Sequence, residues 1–303
     1  MENIKDICII GIFLLILRAG KYIYIMMKLD IVLITYNQAQ YIAQAMDGMI
    51  MQRVNPNVEV RVIVADDASS DDTLAIIHSY EAQSPFPFIY LPQETNMGHV
   101  LNYKRAFAAC TGDYVAILEG DDWWCNPYHL QKHLDFLDEH RECVLSANRP
   151  CRYYEQTNEF VPSFYRDEHL PNYAITLEQQ IANNCIDNLS TCVIINSALQ
   201  AIDCCIYESD LLDWILHVAL SEKGLLIYHR EITSIYRICS DGIWSSKNAE
   251  LKRQENIRLI HQYDMLLKGR WHKYFIKAER LQQPQKRTFY ERLLGMLKRF
   301  CRK

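Results

Sequence analysis

Carboxylates stand at the ends of two apolar runs in this chain. Asp66-Asp67 follows the run 60–64, and Glu119-Gly120-Asp121-Asp122 follows the run 114–118. Hard carboxylate oxygens suit Mg2+ or Mn2+ rather than softer metals. An ion held there would neutralise the charge that develops on a phosphorylated leaving group. Two acidic ends from separate runs therefore point to one carboxylate-lined crevice, with Asp121 and Asp122 as candidate metal ligands. A further carboxylate, Asp210, precedes the apolar stretch 211–220. A helix N-terminus there would tend to keep it ionised. Glu208 and Asp213 are further carboxylates beside it. The bland readings are a solvated turn before a helix starting near Pro127, and an N-cap for the helix after Asp210.

Such ends need a scaffold, and the pattern along the chain describes one. The run 31–34 is continuously apolar, as expected of a strand covered on both faces. A helix over 40–51 would bury Ile42, Ala45, Met46 and Met49, and Ser70-Asp71-Asp72-Thr73 gives the next helix an oxygen-rich start. A strand at 86–91 lies between prolines. A helix after Gly98, carrying Val100, Leu101, Tyr103 and Phe107, leads back to the strand 114–118. Further on, helical spacing marks 127–140 and 211–220, and strands are expected at 143–147, 191–195 and 225–228. A long helix passes through Ile257, Ile260, Tyr263 and Leu266. The stretch 153–173 has no sustained period and reads as an acceptor-facing loop or insertion. Strand followed by helix predicts an α/β fold, with a largely parallel sheet and binding loops at the carboxyl ends of its strands. The first strand runs into Thr35-Tyr36-Asn37 rather than a glycine fingerprint, which argues against a dinucleotide-dependent hydride transfer.

At 303 residues the chain has room for one large domain with an appendage. Lys and Arg number 32 against 37 Asp and Glu, a formal charge of -5, which is not the balance of a nucleic-acid binder. The charge is uneven, because residues 286–303 hold seven Lys or Arg and one Glu. With Phe289, Leu293, Leu294 and Leu297 interleaved, the tail 281–303 fits an anionic membrane surface. The eleven cysteines form no repeated metal-ligand spacing and read as reduced, packed thiols of a cytosolic compartment. His99, His129 and His133 make no three-ligand zinc pattern and read as surface or satisfied helix residues. Trp123 and Trp124 suit either an apolar platform for a ligand ring or a lock for the acidic loop, with Trp124 leaning to packing. The apolar stretch 7–17 is too short to span a bilayer, and residues 1–27 read as an extension ahead of the first strand.

Taken in order, Ile31-Val32-Leu33-Ile34-Thr35-Tyr36-Asn37, Val64-Ala65-Asp66-Asp67-Ala68-Ser69-Ser70-Asp71-Asp72-Thr73, Asn96-Met97-Gly98 and Thr111 to Asp122 resemble the motifs of family 2 glycosyltransferases. The resemblance implies an α/β, GT-A-like, mostly parallel sheet flanked by helices, with a helical C-terminal extension. It implies a catalytic domain over 28–245 and a helical, basic extension over 246–303. The implied activity is metal-dependent, inverting transfer of a sugar from a nucleotide-sugar donor to a saccharide or lipid-linked acceptor. Bacterial cell-surface polysaccharide synthesis is the implied setting, in the cytoplasm or at the inner face of the plasma membrane, with no nucleic-acid partner. Carried over residue by residue, Asp67 recognises the donor base or ribose with Asp66 beside it. Tyr36 stacks on the base, in a loop shaped by Thr35 and Asn37, and Asn96 and Gly98 hold the ribose or sugar side. Asp121 and Asp122 hold Mg2+ or Mn2+, Glu119 supplies field and orientation, and Asp210 is the base. Two positions depart from the family pattern. Glu119 stands where Asp is frequent, and Tyr236-Arg237-Ile238-Cys239 ends in Cys where a Tyr-Arg-x-His segment would end in His. A catalytically degenerate sugar-nucleotide-binding scaffold is the alternative. A nucleotidyltransferase is the weaker one, since no Gly/Arg/Lys-rich triphosphate loop is present.

Overall fold

The computed structural model describes residues 26–239, 242, 244 and 246–283. The N-terminal extension up to residue 25 and the basic tail from residue 284 lie outside the described residues. The chain opens with β1 (Met27–Thr35), α1 (Ile42–Ile50), β2 (Val58–Asp66), α2 (Thr73–Tyr80), β3 (Phe88–Tyr90), α3 (His99–Ala108) and β4 (Tyr114–Glu119). It continues through β5 (Trp123–Trp124), α4 (His129–Glu139), β6 (Cys143–Asn148), β7 (Cys151–Tyr154), β8 (Glu159–Pro162), β9 (Asn172–Ile175) and α5 (Leu177–Ala182). After a 3-10 turn at Leu189–Thr191 come β10 (Cys192–Ile195), α6 (Asn196–Gln200), α7 (Asp213–Ser221), β11 (Leu225–His229), β12 (Ser234–Ile238), α8 (Ala249–Leu266) and α9 (His272–Gln282).

The main sheet has the order β3-β2-β1-β4-β10-β6-β11-β9. Its first four strands are parallel, as the strand–helix alternation predicts. Beyond β4 it is mixed: β10 runs antiparallel to both β4 and β6, and β9 antiparallel to β11. Because β10 emerges from the 3-10 turn at the cleft end of the sheet, it delivers Asn188 and Ser190 beside the acidic end of β4. Alternation along β1 divides the core. Val32 and Ile34 face one layer with Tyr103 and Phe107 of α3, whereas Leu29, Ile31 and Leu33 face the other with Ile42, Met46 and Met49 of α1 and Leu130, Leu134 and Leu137 of α4. Burying each such aliphatic side chain contributes about 1.5–3 kcal/mol. Helices α8 and α9 join the first layer through Leu259, Ile260, Tyr263 and Phe275, so the helical extension shares a core with the α/β unit.

The end of the sheet away from the cleft is pinned by Asp30. Its buried carboxylate accepts from Arg61 at 2.5 and 3.0 Å and from the N–H groups of Thr111 and Gly112 at 2.7 and 2.8 Å. Burial alone would raise its pKa, but these four donors outweigh burial and hold it below the usual value. Asp30→Ala should therefore cost about 3 kcal/mol, the scale for breaking a buried, hydrogen-bonded pair, read as a lowered urea midpoint at neutral pH.

The stretch 153–173 is not the loop expected from its irregular sequence. It contributes to β7 and β8 of a second sheet, ordered β5-β12-β7-β8, and to the start of β9. Strand β8 is an exposed edge, and a strand with no buried face leaves no alternation to read. His129 and His133 take the second of the two readings given to them: both are buried residues of α4, and their rings contact Thr233 and Ser146 at 2.8 and 2.7 Å. Trp124 is wholly buried and donates to Ser190 O at 2.8 Å, a packing role. All the described cysteines are free thiols. Among the described residues no helix is long and apolar enough to cross a membrane.

Candidate active site

Strand register brings the acidic ends together. Thr35 of β1 pairs with Asp66 of β2, and Ile34 pairs with Glu119 of β4, so all three ends open on one edge of the sheet. The loops beyond them are stitched to one another. Asn37 N–H donates to Ser69 Oγ at 2.8 Å, Ser70 N–H donates to Asn37 Oδ1 at 2.8 Å, and Ala39 N–H donates to Asp71 at 3.0 Å. Asn37 and Ala68 have φ of 49° and 61°, a conformation costly for residues with a Cβ and typical of functional loops. Tyr36 is left 46% exposed at the mouth, free to stack on a planar ring. Thr35 is buried, and its hydroxyl bonds to the Gln38 amide.

Asp66 and Asp67 are both buried and fully used. Asp66 accepts from the N–H and hydroxyl of Ser69. Asp67 accepts from Met97 N–H and Gly98 N–H, each at 2.9 Å, and its carbonyl accepts from Asn96 Nδ2 at 3.2 Å. Asp67 therefore moors the 96–98 segment. Asn96 tethers that segment and does not cap α3, whose N-cap is Gly98 at a φ of 89°. His99, at the start of α3, is half-buried, and its Nε2 makes no hydrogen bond among the described residues.

The acidic loop packs directly beneath the β1 loop. A Cβ on Gly120 would run into the Gln38 amide and lie 2.9 Å from both Ile42 Cδ1 and Thr35 Oγ1. Gly120→Ala should therefore cost about 1–3 kcal/mol through overpacking and weaken nucleotide binding in parallel, read by urea unfolding and by titration with a nucleoside diphosphate. Glu119 accepts from Tyr103 Oη at 2.8 Å. Asp122, 2% exposed, accepts from Asn188 Nδ2 on one oxygen and from Arg237 N–H at 2.9 Å on the other. Both of its oxygens are thus occupied by protein donors. Arg237 also donates through Nε to Asp121 O at 2.9 Å and through Nη2 to Gln44 at 2.5 Å. Its guanidinium lies over the rings of Tyr41, Trp123 and Tyr153, 4.6–5.3 Å from their centroids. Burial, followed by repulsion from Asp121, pushes Glu119 up to about 8 and Asp122 well above the usual carboxylate range. Cys239 is buried near Tyr41 and Asp121, and burial pushes its thiol up to about 11.

Asp210 and Asp213 have different surroundings. Asp210 is exposed, forms an ion pair with Arg258 and accepts from Gln262 Nε2 at 3.2 Å. Asp213 opens α7 and faces inward, where its charge acts on Glu119, Tyr103 and Tyr236. Asn184 Nδ2 donates to its carboxylate at 3.1 Å. Burial raises the Asp213 pKa against the pull of Trp214 N–H, its own N–H and Asn184. The helix does not begin at residue 211, so Asp210 lies ahead of its first turn. Asn184, Asn188, Tyr103 and Ser190, which also line this region, carry no sequence motif of their own.

No group of three or more His, Cys, Asp or Glu side chains among the described residues could hold a metal ion by itself. The arrangement fits an ion shared with a phosphorylated ligand, since Mg2+ commonly takes one or two carboxylates plus phosphate oxygens. Asp121 lies beside Glu119 and Asp122, whose pKa values its charge helps to raise. A cation there would relieve the repulsion that raises its neighbours.

The model of glycosyl transferase family 2 matches residues 30–200. An uncharacterized protein of Mycobacterium tuberculosis is 33% identical over 228 residues, covering 74% of this chain and 63% of that protein. The poly(ribitol-phosphate) beta-N-acetylglucosaminyltransferase TarS of Staphylococcus aureus is 32% identical over 121 residues, 40% of this chain and 20% of TarS. The chain thus spans less than two thirds of the length of these relatives. Among solved structures, S. aureus TarS in complex with UDP-GlcNAc aligns with a TM-score of 0.57 at 19% identity, covering 80% of this chain and 66% of that one. The mannosyltransferase PcManGT from Pyrobaculum calidifontis, in complex with GDP-Man and Mn2+, aligns with a TM-score of 0.59 at 14% identity, covering 89% and 76%. These structural likenesses concern the fold, which is GT-A-like.

Proposed function

The chain belongs to glycosyl transferase family 2, and on that premise we propose that it transfers a sugar, with inversion, from a nucleotide-sugar donor to a hydroxyl of a saccharide or lipid-linked acceptor. The observation that carries this reading is the meeting of four elements at one cleft: the moored Asp67 loop, exposed Tyr36, the Glu119–Asp122 loop, and Asp213 facing that loop from α7. In this reading Tyr36 stacks on the donor base, while Thr35, Asn37, Asp66, Asp67, Asn96 and Gly98 shape the loops that hold the nucleoside. Asp121 holds Mg2+ or Mn2+ together with the diphosphate, and the ion supplies charge neutralisation for the leaving group. In this reading Asp122 acts by fixing Arg237, which in turn holds the Asp121 carbonyl, rather than by direct coordination.

The base is reassigned from Asp210 to Asp213. Asp210 is spent on Arg258 and Gln262, whereas Asp213 is half-buried and its pKa is raised by burial, as suits a proton acceptor. In the single displacement, the acceptor oxygen attacks the anomeric carbon opposite the departing diphosphate and loses its proton to Asp213 Oδ. The name of one relative, the poly(ribitol-phosphate) beta-N-acetylglucosaminyltransferase TarS, supports a polymeric acceptor. The basic tail supports attachment at the inner face of the membrane, with 28–245 as the catalytic unit. Proton NMR of the product formed from an α-linked donor tests the stereochemistry. A β-anomeric product is expected, and an α-anomeric product would remove the single-displacement mechanism.

A further inference from the structure

Asp213 does not stand alone on α7. Its carboxylate can only accept, so the Asn184 atom 3.1 Å away must be the amide nitrogen, and this fixes the Asn184 side chain. Asn184 Oδ1 is then turned to the other side, where it meets Gln180 Nε2 at 3.0 Å and His217 Nδ1 at 3.2 Å. An amide oxygen there requires His217 to carry its proton on Nδ1. His217 Nε2 is left to accept from the Cys192 thiol at 3.7 Å. Burial depresses the His217 pKa to about 3 and pushes the Cys192 thiol up to about 12, so the imidazole stays neutral and the thiol protonated across the working range. Gln180 is itself held between α5 and α7, because its carbonyl accepts from Trp214 Nε1 at 2.6 Å. Gln180, Cys192 and His217 are fully buried. The chain Cys192–His217–Asn184–Asp213 therefore has one donor and one acceptor at every junction.

We propose that Asn184 is the positioning residue for Asp213, and that His217 locks the Asn184 amide in the orientation this requires. The inference rests on the reading of Asp213 as the base. His217 follows Asp213 by one helical turn, so both lie on the same face of α7, and Asn184 spans them from the loop after α5. A neutral relay holds the carboxylate without pairing it to a cation, which would weaken it as a base. The other titratable groups that face Asp213 are Glu119 of β4, Tyr103 of α3, Cys192 of β10, Tyr236 of β12 and Tyr263 of α8. None is a cation that takes over the role of Asn184.

The test uses the full chain with whichever donor it turns over from UDP-glucose, UDP-galactose, UDP-N-acetylglucosamine and GDP-mannose. Water serves as acceptor, and released nucleoside diphosphate is the readout. Asn184→Leu removes the hydrogen bond to the ionised form, so Asp213 becomes harder to ionise. The acidic limb of the kcat/KM profile should move up by about one pH unit. kcat should fall about 10–100-fold from a misplaced base, and nucleoside diphosphate affinity should stay within about twofold. His217→Leu should shift the same limb. His217→Gln, whose amide can still donate to Asn184, should restore most of the loss. An unmoved pH profile in Asn184→Leu would overturn the proposal, as would equal impairment in the two His217 variants or a parallel loss of nucleotide affinity. If Asp213→Asn retains turnover, the reading of Asp213 as base is what fails. If Asp213→Asn is dead and the Asn184→Leu profile is unmoved, only the positioning role fails.

Discussion

Asp213→Asn should lower turnover about 10²–10⁴-fold, the contribution of a principal general base, while folding and nucleotide binding remain. The amide preserves size and can still receive the Asn184 hydrogen bond after a flip, but it cannot take the acceptor proton. Asp210→Asn should leave turnover within a few-fold of the parent, because Asp210 is exposed and its partners are Arg258 and Gln262. The pair of variants is therefore a direct comparison between two carboxylates within one helical turn of each other in sequence. Initial rates of nucleoside diphosphate release, read beside the affinity for that product, distinguish them. Loss of activity in Asp210→Asn with near-parent rates in Asp213→Asn would reverse the assignment.

A large effect of a different kind is expected from pH. Three buried histidines, His129, His133 and His217, and the half-buried His229 are held neutral by burial, with the pKa of His129 and His217 at about 3, that of His229 at about 4 and that of His133 well below its usual value. Three of them form one network: Ser146 Oγ lies 2.7 Å from His133 and 2.8 Å from His229, and the rings of His129 and His133 meet edge to face. In the unfolded chain each would titrate near about 6.5. The folded pKa values are depressed, so the stability is fully present above about pH 6.5 and is lost as the unfolded state gains protons that the native state refuses. Between pH 7 and pH 5 each of His129, His217 and His229 costs about 2 kcal/mol, and His133 acts in the same direction. Together they approach the roughly 5–15 kcal/mol that holds a typical domain folded. Urea midpoints measured from pH 7.5 to 5.0 should be level above about 6.5 and fall steeply below it. His133→Asn and His229→Gln should flatten the fall, whereas a pH-independent midpoint in the parent chain would contradict the neutral network.

The parallel half of the fold is legible in the sequence because β1, β2 and β4 are covered on both faces and read as apolar runs, with carboxylates marking where each leaves the core. The motif resemblance points to the cleft because residues 35–37, 66–67, 96–98 and 119–122 carry it in their own residue types, although the hydrogen bonds that fix these loops join distant parts of the chain. The β7–β8 hairpin was hidden because an edge strand with an exposed face has no hydrophobic period. Strand β10 was visible, but its antiparallel direction depends on where the 3-10 turn before it enters the sheet. Glu208, Asp210 and Asp213 are chemically alike in the sequence, and only the helix boundary, which falls at Asp213, decides which of them opens the first turn. His129 and His133 gave no signal of burial because Thr233 and Ser146, their partners, come from elsewhere in the chain. The roles of Asn184 and Asn188 likewise exist only through contacts with Asp213 and Asp122.

The central claim is transfer from a nucleotide-sugar at this cleft, and donor turnover tests it most directly. The full chain is incubated with UDP-, GDP- and dTDP-sugars in Mn2+, in Mg2+ or in a chelator, with released nucleotide identified by mass. A nucleoside diphosphate is expected from one donor class with either ion, strongly reduced in the chelator and in Asp213→Asn. Folded protein that releases no nucleoside diphosphate from any donor, or that releases pyrophosphate from a nucleoside triphosphate instead, would contradict the account.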